Sequence, residues 1–285
     1  MPVTQNDREV ILSVDDQTSV TILRYGATIV SWKVDGKEQL WLSENSPLDG
    51  TAAVRGGIPL VFPVFATSEP PHVTSTLPPH GYARLHSWDV SENNEKPTTV
   101  QFRLGVEQLN EETRAKWNYK CTLVLSVTLT KDTLVTSIAV ENTDSKPFEF
   151  NFAFHTYLRI PDISQIQITG LQGLQVFDKI AKTNKTETSP TLSINEETAR
   201  VYQDSTSSVT VISHGKPKFT IEEKSGLPDV VVWNPWKDAA QGIPDFSPKE
   251  GFQNMICVET GRVAKFSTLQ PREKWEGSQT IKVHF

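Results

Sequence analysis

The sequence predicts an all-β protein built from antiparallel sheets, in a sandwich or a barrel. Short runs of alternating or β-branched apolar residues recur along the 285-residue chain, for example SVTILRY at 19–25, CTLVLSVTL at 121–129 and FEFNFAFH at 148–155. Turn-rich pieces such as ENTDSKP and SHGKP separate them. Short strands divided by turn signals at this spacing are typical of antiparallel all-β folds.

The remaining elements fit the same prediction. The best helical candidate is short and covers residues 107–117, EQLNEETRAKW. Eighteen prolines and fifteen glycines are spread along the chain, without a repeat or a linker, so we expect one domain over residues 1–285. Further predicted strands are TIVSWKV at 28–34, TVQFRL at 99–104, LVTSIAVE at 134–141, QIQIT at 165–169, KFTIEE at 218–223 and DVVVWN at 229–234.

Composition excludes several classes of protein. The formal net charge is −6, which disfavours a nucleic-acid-binding protein because such proteins usually carry a basic stripe. Cys121 and Cys257 lie in apolar runs and are expected to be buried free thiols, although a disulfide stays open. The N-terminus lacks the apolar core of a signal peptide, and no stretch reaches the ~18 apolar residues of a membrane span. We therefore expect a soluble, cytoplasmic protein.

The strand at 148–155 has one aromatic face. Successive strand residues point to opposite sides, so Phe148, Phe150, Phe152 and Phe154 share one face and should be buried between two sheets. The other face is small and polar and ends in His155, which suits a strand that lines a wet, concave site.

The segment MICVETG at 255–261 places a carboxylate in an apolar strand. Ile256 and Val258 share one face, whereas Met255, Cys257 and Glu259 share the other. Burial would raise the pKa of Glu259 unless hydrogen bonds compensate. A carboxylate with a raised pKa suits proton transfer near neutral pH.

Three further clusters contain polar or aromatic residues that could line a site. In VRGGIPLVFPVF at 54–65, Arg55 precedes a Gly-Gly turn, and two prolines predict an edge strand or a structured loop. In PHGYAR at 79–84, His80 and Arg84 can converge from one loop. In PDVVVWNPW at 228–236, two tryptophans bracket an asparagine and a proline. From the residues alone, a solvated arginine, an ordinary turn histidine and core tryptophans remain open.

The chain lacks the motifs of several enzyme classes. It has no H-E-x-x-H, C-x-x-C, P-loop or G-x-S-x-G motif, and GGIP is not a dinucleotide fingerprint. The other histidines show no metal-ligand spacing. These absences disfavour zinc hydrolases, kinases, dehydrogenases and serine esterases.

In this order, the motifs VRGGIPLVFPVF, HGYAR, FNFAFHTYLRI, PDVVVWNPW and MICVETG resemble the hexose-6-phosphate mutarotases of the aldose 1-epimerase, or galactose mutarotase-like, family. The resemblance runs from about Tyr25 to Trp275. It implies a large antiparallel β-sandwich, the galactose mutarotase-like supersandwich, with the site on the concave face. It also implies an isomerase that needs neither a metal nor an organic cofactor.

The resemblance assigns roles to individual residues. The histidine of the FHTY motif and the glutamate of the ICVE motif, His155 and Glu259, would be the catalytic acid and base. Arg55 and Arg84 would bind the substrate, and two guanidinium groups suit a phosphate. His80 would line the site.

Two residues of the PDVVVWNPW motif, Asp229 and Trp233, are candidates for contact with the sugar. Two other positions depart from the family pattern. Where this chain has Pro79 and Ala199, related sequences commonly have glutamine and aspartate. In the family, both positions are linked to contact with the substrate. Asp204 or Glu197 could compensate for the missing aspartate.

The predicted reaction is mutarotation of a hexose 6-phosphate. Mutarotation removes a proton from the anomeric hydroxyl and delivers one to the ring oxygen, so that the ring opens and closes on the other face. The expected partner is a small sugar phosphate, with no nucleic acid and no membrane, and the protein is expected to be a monomer. Two alternatives stay open, namely an epimerase of unphosphorylated aldoses and a non-catalytic sugar-phosphate-binding protein.

Overall fold

The computed structural model describes residues 3–91 and 98–285, and it consists mainly of antiparallel strands, as predicted. Two short α-helices, α1 (Glu111–Lys116) and α2 (Trp236–Gly242), lie between strands. The strands are β1 (Val3–Gln5), β2 (Glu9–Ser13), β3 (Ser19–Leu23), β4 (Ile29–Val34), β5 (Lys37–Glu38), β6 (Leu60–Val61), β7 (Asp89–Ser91), β8 (Thr99–Leu104), β9 (Cys121–Leu129), β10 (Thr133–Asn142), β11 (Phe148–Phe154), β12 (Tyr157–Arg159), β13 (Ile166–Thr169), β14 (Gln175–Asp178), β15 (Thr183–Thr186), β16 (Leu192–Ser193), β17 (Thr198–Tyr202), β18 (Val209–Ser213), β19 (Lys216–Glu223), β20 (Asp229–Asn234), β21 (Met255–Leu269) and β22 (Lys274–Val283).

The described strands form three sheets. A five-stranded sheet runs β1-β2-β3-β4-β5, and a nine-stranded sheet runs β16-β13-β18-β19-β22-β10-β9-β8-β7. An eight-stranded sheet runs β15-β14-β17-β20-β21-β11-β6, with β12 paired to β21. Buried positions alternate with half-exposed ones along β9 and most of β10. This pattern of period two places one face of the nine-stranded sheet on the core.

The helix predicted at 107–117 is shorter in the structure. Residues Val106–Gln108 form a 3₁₀ turn instead, and α1 begins only at Glu111. The side chain of Asn110 accepts a hydrogen bond from the backbone N–H of Thr113. This N-cap fixes the start of the helix, because it satisfies an amide that no intrahelical carbonyl can reach.

The aromatic face of β11 lies in the core, as predicted. Its four phenylalanines are each no more than 2% exposed. Phe150 and Phe152 pack against Trp275 of β22, with ring centroids 5.2 and 5.6 Å away. The core between the eight-stranded and nine-stranded sheets thus holds β11 in place, and with it the position of His155 at its end.

The segment with two prolines forms an edge strand, as predicted. β6 pairs with β11 through Val61 and Leu60, at one end of the eight-stranded sheet. Gly57, just before this strand, has a φ of +66°, and a Cβ atom there would lie 2.0 Å from the carbonyl oxygen of Ile29. Only glycine lets the backbone carrying Arg55 pass so close to a neighbouring strand.

Cys121 and Cys257 are buried free thiols, as predicted. Among the helices of the described residues, none has the length and apolar character needed to cross a bilayer.

Candidate active site

Two adjacent strands bring His155 and Glu259 together. His155 directly follows β11, and Phe154 at the end of that strand pairs with Thr260 of β21. The side chains of the two candidate catalytic residues therefore meet, with Nδ1 of His155 3.5 Å from Oε1 of Glu259. His155 is 9% exposed and Glu259 is 1% exposed.

A buried polar bridge supports this pair from the core side. Thr156 and Thr260 each follow one member of the pair. The hydroxyl of Thr260 donates to Oε1 of Gln279 at 2.7 Å, and the amide of Gln279 donates to Thr156 at 3.5 Å. Gln279 lies on β22 and is fully buried. A side chain from the opposite sheet thus ties the two strands that carry the pair.

Burial sets the protonation of the pair. Desolvation raises the pKa of Glu259 well above its ordinary value, and the positive charge of Lys179 offsets part of this rise. Desolvation, together with the charges of Arg55 and Arg84, lowers the pKa of His155 well below its ordinary value. Nδ1 of His155 and Oε2 of Glu259 have no hydrogen-bond partner within the described part of the chain. Both residues therefore favour their uncharged forms and keep polar atoms available for a ligand.

Arg55 is held in the site by two partners, the carboxylate of Asp245 and the phenol of Tyr157. Its guanidinium group pairs with Asp245, with Nη2 3.1 Å from Oδ1, and its Nη1 donates to the hydroxyl of Tyr157 at 3.2 Å. Burial alone would lower the pKa of Arg55, but Tyr157 and Asp245 outweigh it and the pKa is raised. Arg55 is therefore a fixed cation in this site.

Tyr157 links this arginine to the candidate catalytic histidine. Its ring stacks on the ring of His155 with centroids 4.7 Å apart and an angle of 8° between the planes. Because β12 pairs with β21 through Tyr157 and Cys257, the tyrosine is fixed by the same strand that carries Glu259. Tyr157 was not among the predicted site residues, although its position two residues after His155 was a usable signal.

His80 and Arg84 converge from one loop, as their spacing allowed. The ring of His80 lies 5.4 Å from the ring of His155. Desolvation and the nearby charges of Arg84, Lys179 and Arg55 lower the pKa of His80 to about 3, so this residue is neutral at ordinary pH. Arg84 donates to the carbonyl of Pro79 at 2.8 Å.

The guanidinium group of Arg84 is only partly satisfied. Its Nε is buried and has no partner among the described residues. Desolvation lowers the pKa of Arg84, and the charge of Arg55 adds to this effect. A buried donor without a partner is costly, and within residues 3–91 and 98–285 the protein leaves this group with an unmet hydrogen bond.

The two candidates for sugar contact have different surroundings. Trp233 is half-buried and meets His155 edge to face, with ring centroids 5.9 Å apart. Asp229 is buried, and its Oδ2 accepts hydrogen bonds from the backbone N–H groups of Val263 and Ala264 at 2.7 and 2.8 Å. Trp233 therefore lies next to His155, whereas one oxygen of Asp229 holds the backbone of β21 beyond Glu259.

Lys179 is hydrogen-bonded through its backbone to Ala199, the position at which related sequences commonly have aspartate. The backbone N–H of Lys179 donates to the carbonyl of Ala199 at 2.8 Å. Nζ of Lys179 lies 4.8 Å from the ring centroid of Phe65, and its charge acts on Glu259 and His80. Asp204, one of the residues considered as a replacement, is exposed. Neither Lys179 nor Asp245 gave a motif in the sequence.

Three groups at this place could hold a metal ion. Nδ1 of His155, Sγ of Cys257 and a carboxylate oxygen of Glu259 all lie within 4.8 Å of one another. Nitrogen, thiolate and carboxylate ligands suit a zinc ion. Two of these three groups, the imidazole and the carboxylate, can also carry protons.

Comparisons with known proteins point to one family. The profile of the family described as aldose 1-epimerase matches residues 8–282. A protein of Cenchrus ciliaris, named as a candidate glucose-6-phosphate 1-epimerase, is 36% identical over 266 residues, which cover 90% of this chain and 78% of that protein. A protein of the same name from Escherichia coli K12 is 27% identical over 98% of this chain and 91% of its own length.

Solved structures share the fold. The crystal structure of YeaD, a candidate mutarotase from Salmonella typhimurium, matches with a TM-score of 0.82 at 27% identity, over 99% of this chain and 92% of that one. The galactose 1-epimerase of Lactobacillus acidophilus NCFM matches with a TM-score of 0.69 at 14% identity, over 100% and 97% of the two chains. The predicted galactose mutarotase-like β-sandwich is thereby confirmed.

Proposed function

Because the chain belongs to the aldose 1-epimerase family, we propose that it is a hexose-6-phosphate mutarotase that interconverts the α and β anomers of glucose 6-phosphate. The observation that carries this proposal is the buried contact of 3.5 Å between His155 and Glu259, beside two arginines. An acid/base pair accounts for ring opening, and the arginines account for a phosphate. The relatives named as candidate glucose-6-phosphate 1-epimerases support the same substrate.

The geometry of the pair suits the two oxygens that exchange protons. The anomeric hydroxyl and the ring oxygen are bonded to the same carbon, so they lie close together on the sugar. Two proton carriers whose atoms lie 3.5 Å apart can each face one of them. Glu259 takes the proton of the anomeric hydroxyl while His155 delivers one to the ring oxygen. The C1–C2 bond then rotates, and the two residues exchange roles as the ring closes.

This exchange requires that the pair holds one proton in total. Ring opening turns ionised Glu259 and protonated His155 into a neutral pair, and ring closure reverses the change. The raised pKa of Glu259 and the lowered pKa of His155 favour the neutral pair in the free protein. The shared proton therefore passes from the carboxyl group to the imidazole of His155, 3.5 Å away, before Glu259 accepts the proton of the anomeric hydroxyl. Since the two groups are in contact, they titrate as one coupled unit.

The shared proton predicts a pH dependence for kcat at saturating glucose 6-phosphate. On the acid side, kcat falls when the pair takes up a second proton, on His155. This happens at a pH below 6.5, because the pKa of His155 is lowered from its ordinary value of 6.5. On the alkaline side, kcat falls when Glu259 loses the shared proton, at a pH well above 4.5, because its pKa is raised from that value. Magnetisation-transfer NMR between the two anomers measures the rate. A rate that rises through pH 4.5 and then stays flat to high pH would contradict the shared proton.

We also propose that Arg84 and Arg55 bind the phosphate group. Arg84→Ala is expected to raise the Kd of glucose 6-phosphate by roughly 10- to 100-fold, the effect of losing a hydrogen bond to a charged group. Isothermal titration calorimetry measures this change, and Arg114→Ala, an exposed position on α1, is the matched control. If Arg84→Ala binds glucose 6-phosphate as tightly as the wild type, the phosphate assignment fails.

Comparing substrates separates this proposal from an epimerase of unphosphorylated aldoses. A hexose-6-phosphate mutarotase should exchange the anomers of glucose 6-phosphate far faster than those of glucose, because phosphate binding at a distance positions the reacting carbon.

We further propose a single domain over residues 1–285 that acts as a monomer in the cytoplasm.

A further inference from the structure

A cavity of about 520 Å³ is lined by Lys179, whose charge acts on Glu259. It opens between the loop that carries Phe65, the hairpin of β14 and β15, and the part of β21 that follows Glu259. Two aromatic rings, two carboxamides and one cation line it together with backbone, and the residues concerned are Phe65, Phe177, Lys179, Asn184, Gln203 and Val263.

The walls of this cavity are fixed by hydrogen bonds. The carboxylate of Asp229 accepts from the backbone N–H groups of Val263 and Ala264 on one side. Asn151 donates to the carbonyls of Arg262 and Lys265, which flank that segment. The β21 wall of the cavity is therefore held in place by the protein itself, as is usual for ligand sites.

Lys179 is the one cation that lines this cavity. Its backbone is tied to Ala199, and its Nζ lies over the ring of Phe65. Among residues 3–91 and 98–285, no carboxylate forms a salt bridge with it. A half-buried ammonium group without a counter-ion is poorly satisfied by protein. It can therefore donate to an oxygen of a bound ligand.

Lys179 and Arg55 approach the catalytic pair through different neighbours. Arg55 is linked to His155 through Tyr157, which stacks on the imidazole. Lys179 reaches His155 through two intervening rings, because its Nζ lies over the ring of Phe65. The ring centroids of Phe65 and His80 lie 5.5 Å apart, and those of His80 and His155 lie 5.4 Å apart. The charge of Lys179 acts on Glu259, the residue placed at the anomeric hydroxyl.

These positions orient the hexose if the proposed function holds. With the phosphate at the two arginines and the anomeric carbon at Glu259, C2 is the next ring carbon, and Lys179 is a further cation whose charge acts on Glu259. We propose that Lys179 and this cavity form the subsite for the C2 substituent, that Lys179 donates to an oxygen there, and that it selects against a positively charged group. Aromatic faces and carboxamides suit the C–H groups and hydroxyls of a sugar.

The test compares Lys179→Met with the wild type on two substrates at pH 6.5. Glucose 6-phosphate carries a hydroxyl at C2, whereas glucosamine 6-phosphate carries an ammonium group there. We expect Lys179→Met to raise the KM for glucose 6-phosphate on the order of tenfold, the loss of one charge-assisted hydrogen bond. We also expect the preference in kcat/KM for glucose 6-phosphate over glucosamine 6-phosphate to fall at least fivefold, because the repulsion is gone.

The controls separate recognition from structure. Lys179→Arg should keep most of the preference, because it keeps the charge. Lys182→Met, an exposed position in the same hairpin, should behave as the wild type. Unchanged KM and unchanged preference in Lys179→Met would overturn the subsite while leaving the mutarotase proposal intact.

A wild type without anomer exchange would overturn the mutarotase proposal instead. The subsite is then tested by calorimetry with glucose 6-phosphate. A weaker Kd in Lys179→Met than in the wild type supports it, whereas equal affinity, or no binding by the wild type, overturns it.

Discussion

Glu259→Gln is expected to reduce the kcat of glucose 6-phosphate anomerisation by about 10²–10⁴-fold, the usual contribution of a general acid–base group. Glutamine keeps the shape of the side chain and its neighbours His155 and Cys257, but an amide cannot take up the proton of the anomeric hydroxyl. Magnetisation-transfer NMR measures the loss. Turnover near that of the wild type would remove Glu259 as the base.

The same variant should be as stable as the wild type or more stable, which separates lost chemistry from lost folding. The pKa of Glu259 is raised in the folded protein by burial, so ionisation favours the unfolded chain. The wild type therefore loses stability as the pH rises from 4.5 through the folded pKa, whereas Glu259→Gln does not. Thermal unfolding at several pH values should show a Tm difference in favour of glutamine that grows with pH. A difference that shrinks as the pH rises would contradict the raised pKa.

His155→Asn is expected to reduce kcat by a similar factor, about 10²–10⁴-fold. An amide can accept a hydrogen bond from Glu259, but it cannot carry the proton to the ring oxygen. The affinity for glucose 6-phosphate should change far less than kcat, because the proposed phosphate ligands are Arg55 and Arg84 and not His155. The measurement pairs anomer exchange with calorimetric binding of the same variant.

His214→Asn is the matched control for this substitution. His214 lies in a turn with a φ of +51°, a conformation that asparagine adopts readily. This variant should exchange anomers as the wild type does. Equal activity of the His155 and His214 variants would show that the imidazole of His155 carries no proton.

Local pattern was sufficient to predict much of the fold. The bounds of β8, β9 and β20 agree with the predicted strands at 99–104, 121–129 and 229–234. The run at 121–129 alternates throughout and the run at 99–104 alternates over most of its length, whereas the run at 229–234 contains a continuous β-branched stretch and is buried almost throughout. The predicted helix was too long because helix-forming residues at 107–109 preceded the cap at Asn110, whose carboxamide sets the start of α1.

The candidate site could be predicted only as far as motifs and strand faces allowed. Glu259 stood out because a carboxylate in an apolar strand must be buried. Asp245 and Gln279 could not be found in this way, because each acts on a residue more than a hundred positions away. Their positions depend on which strands are neighbours, and single-strand periodicity does not contain that information. Lys179 was not predicted as a site residue either, because a lysine that follows a strand usually points to solvent.

The ion pair between Arg55 and Asp245 makes anion binding an exchange of partners. A phosphate that approaches this guanidinium group must offer more than the carboxylate already gives. A dianion has the charge for such a competition, whereas chloride or a carboxylic metabolite gains little by replacing one monoanion with another. If Arg55 binds the phosphate as proposed, Asp245 is a competing partner that disfavours singly charged solutes at this arginine relative to doubly charged ones.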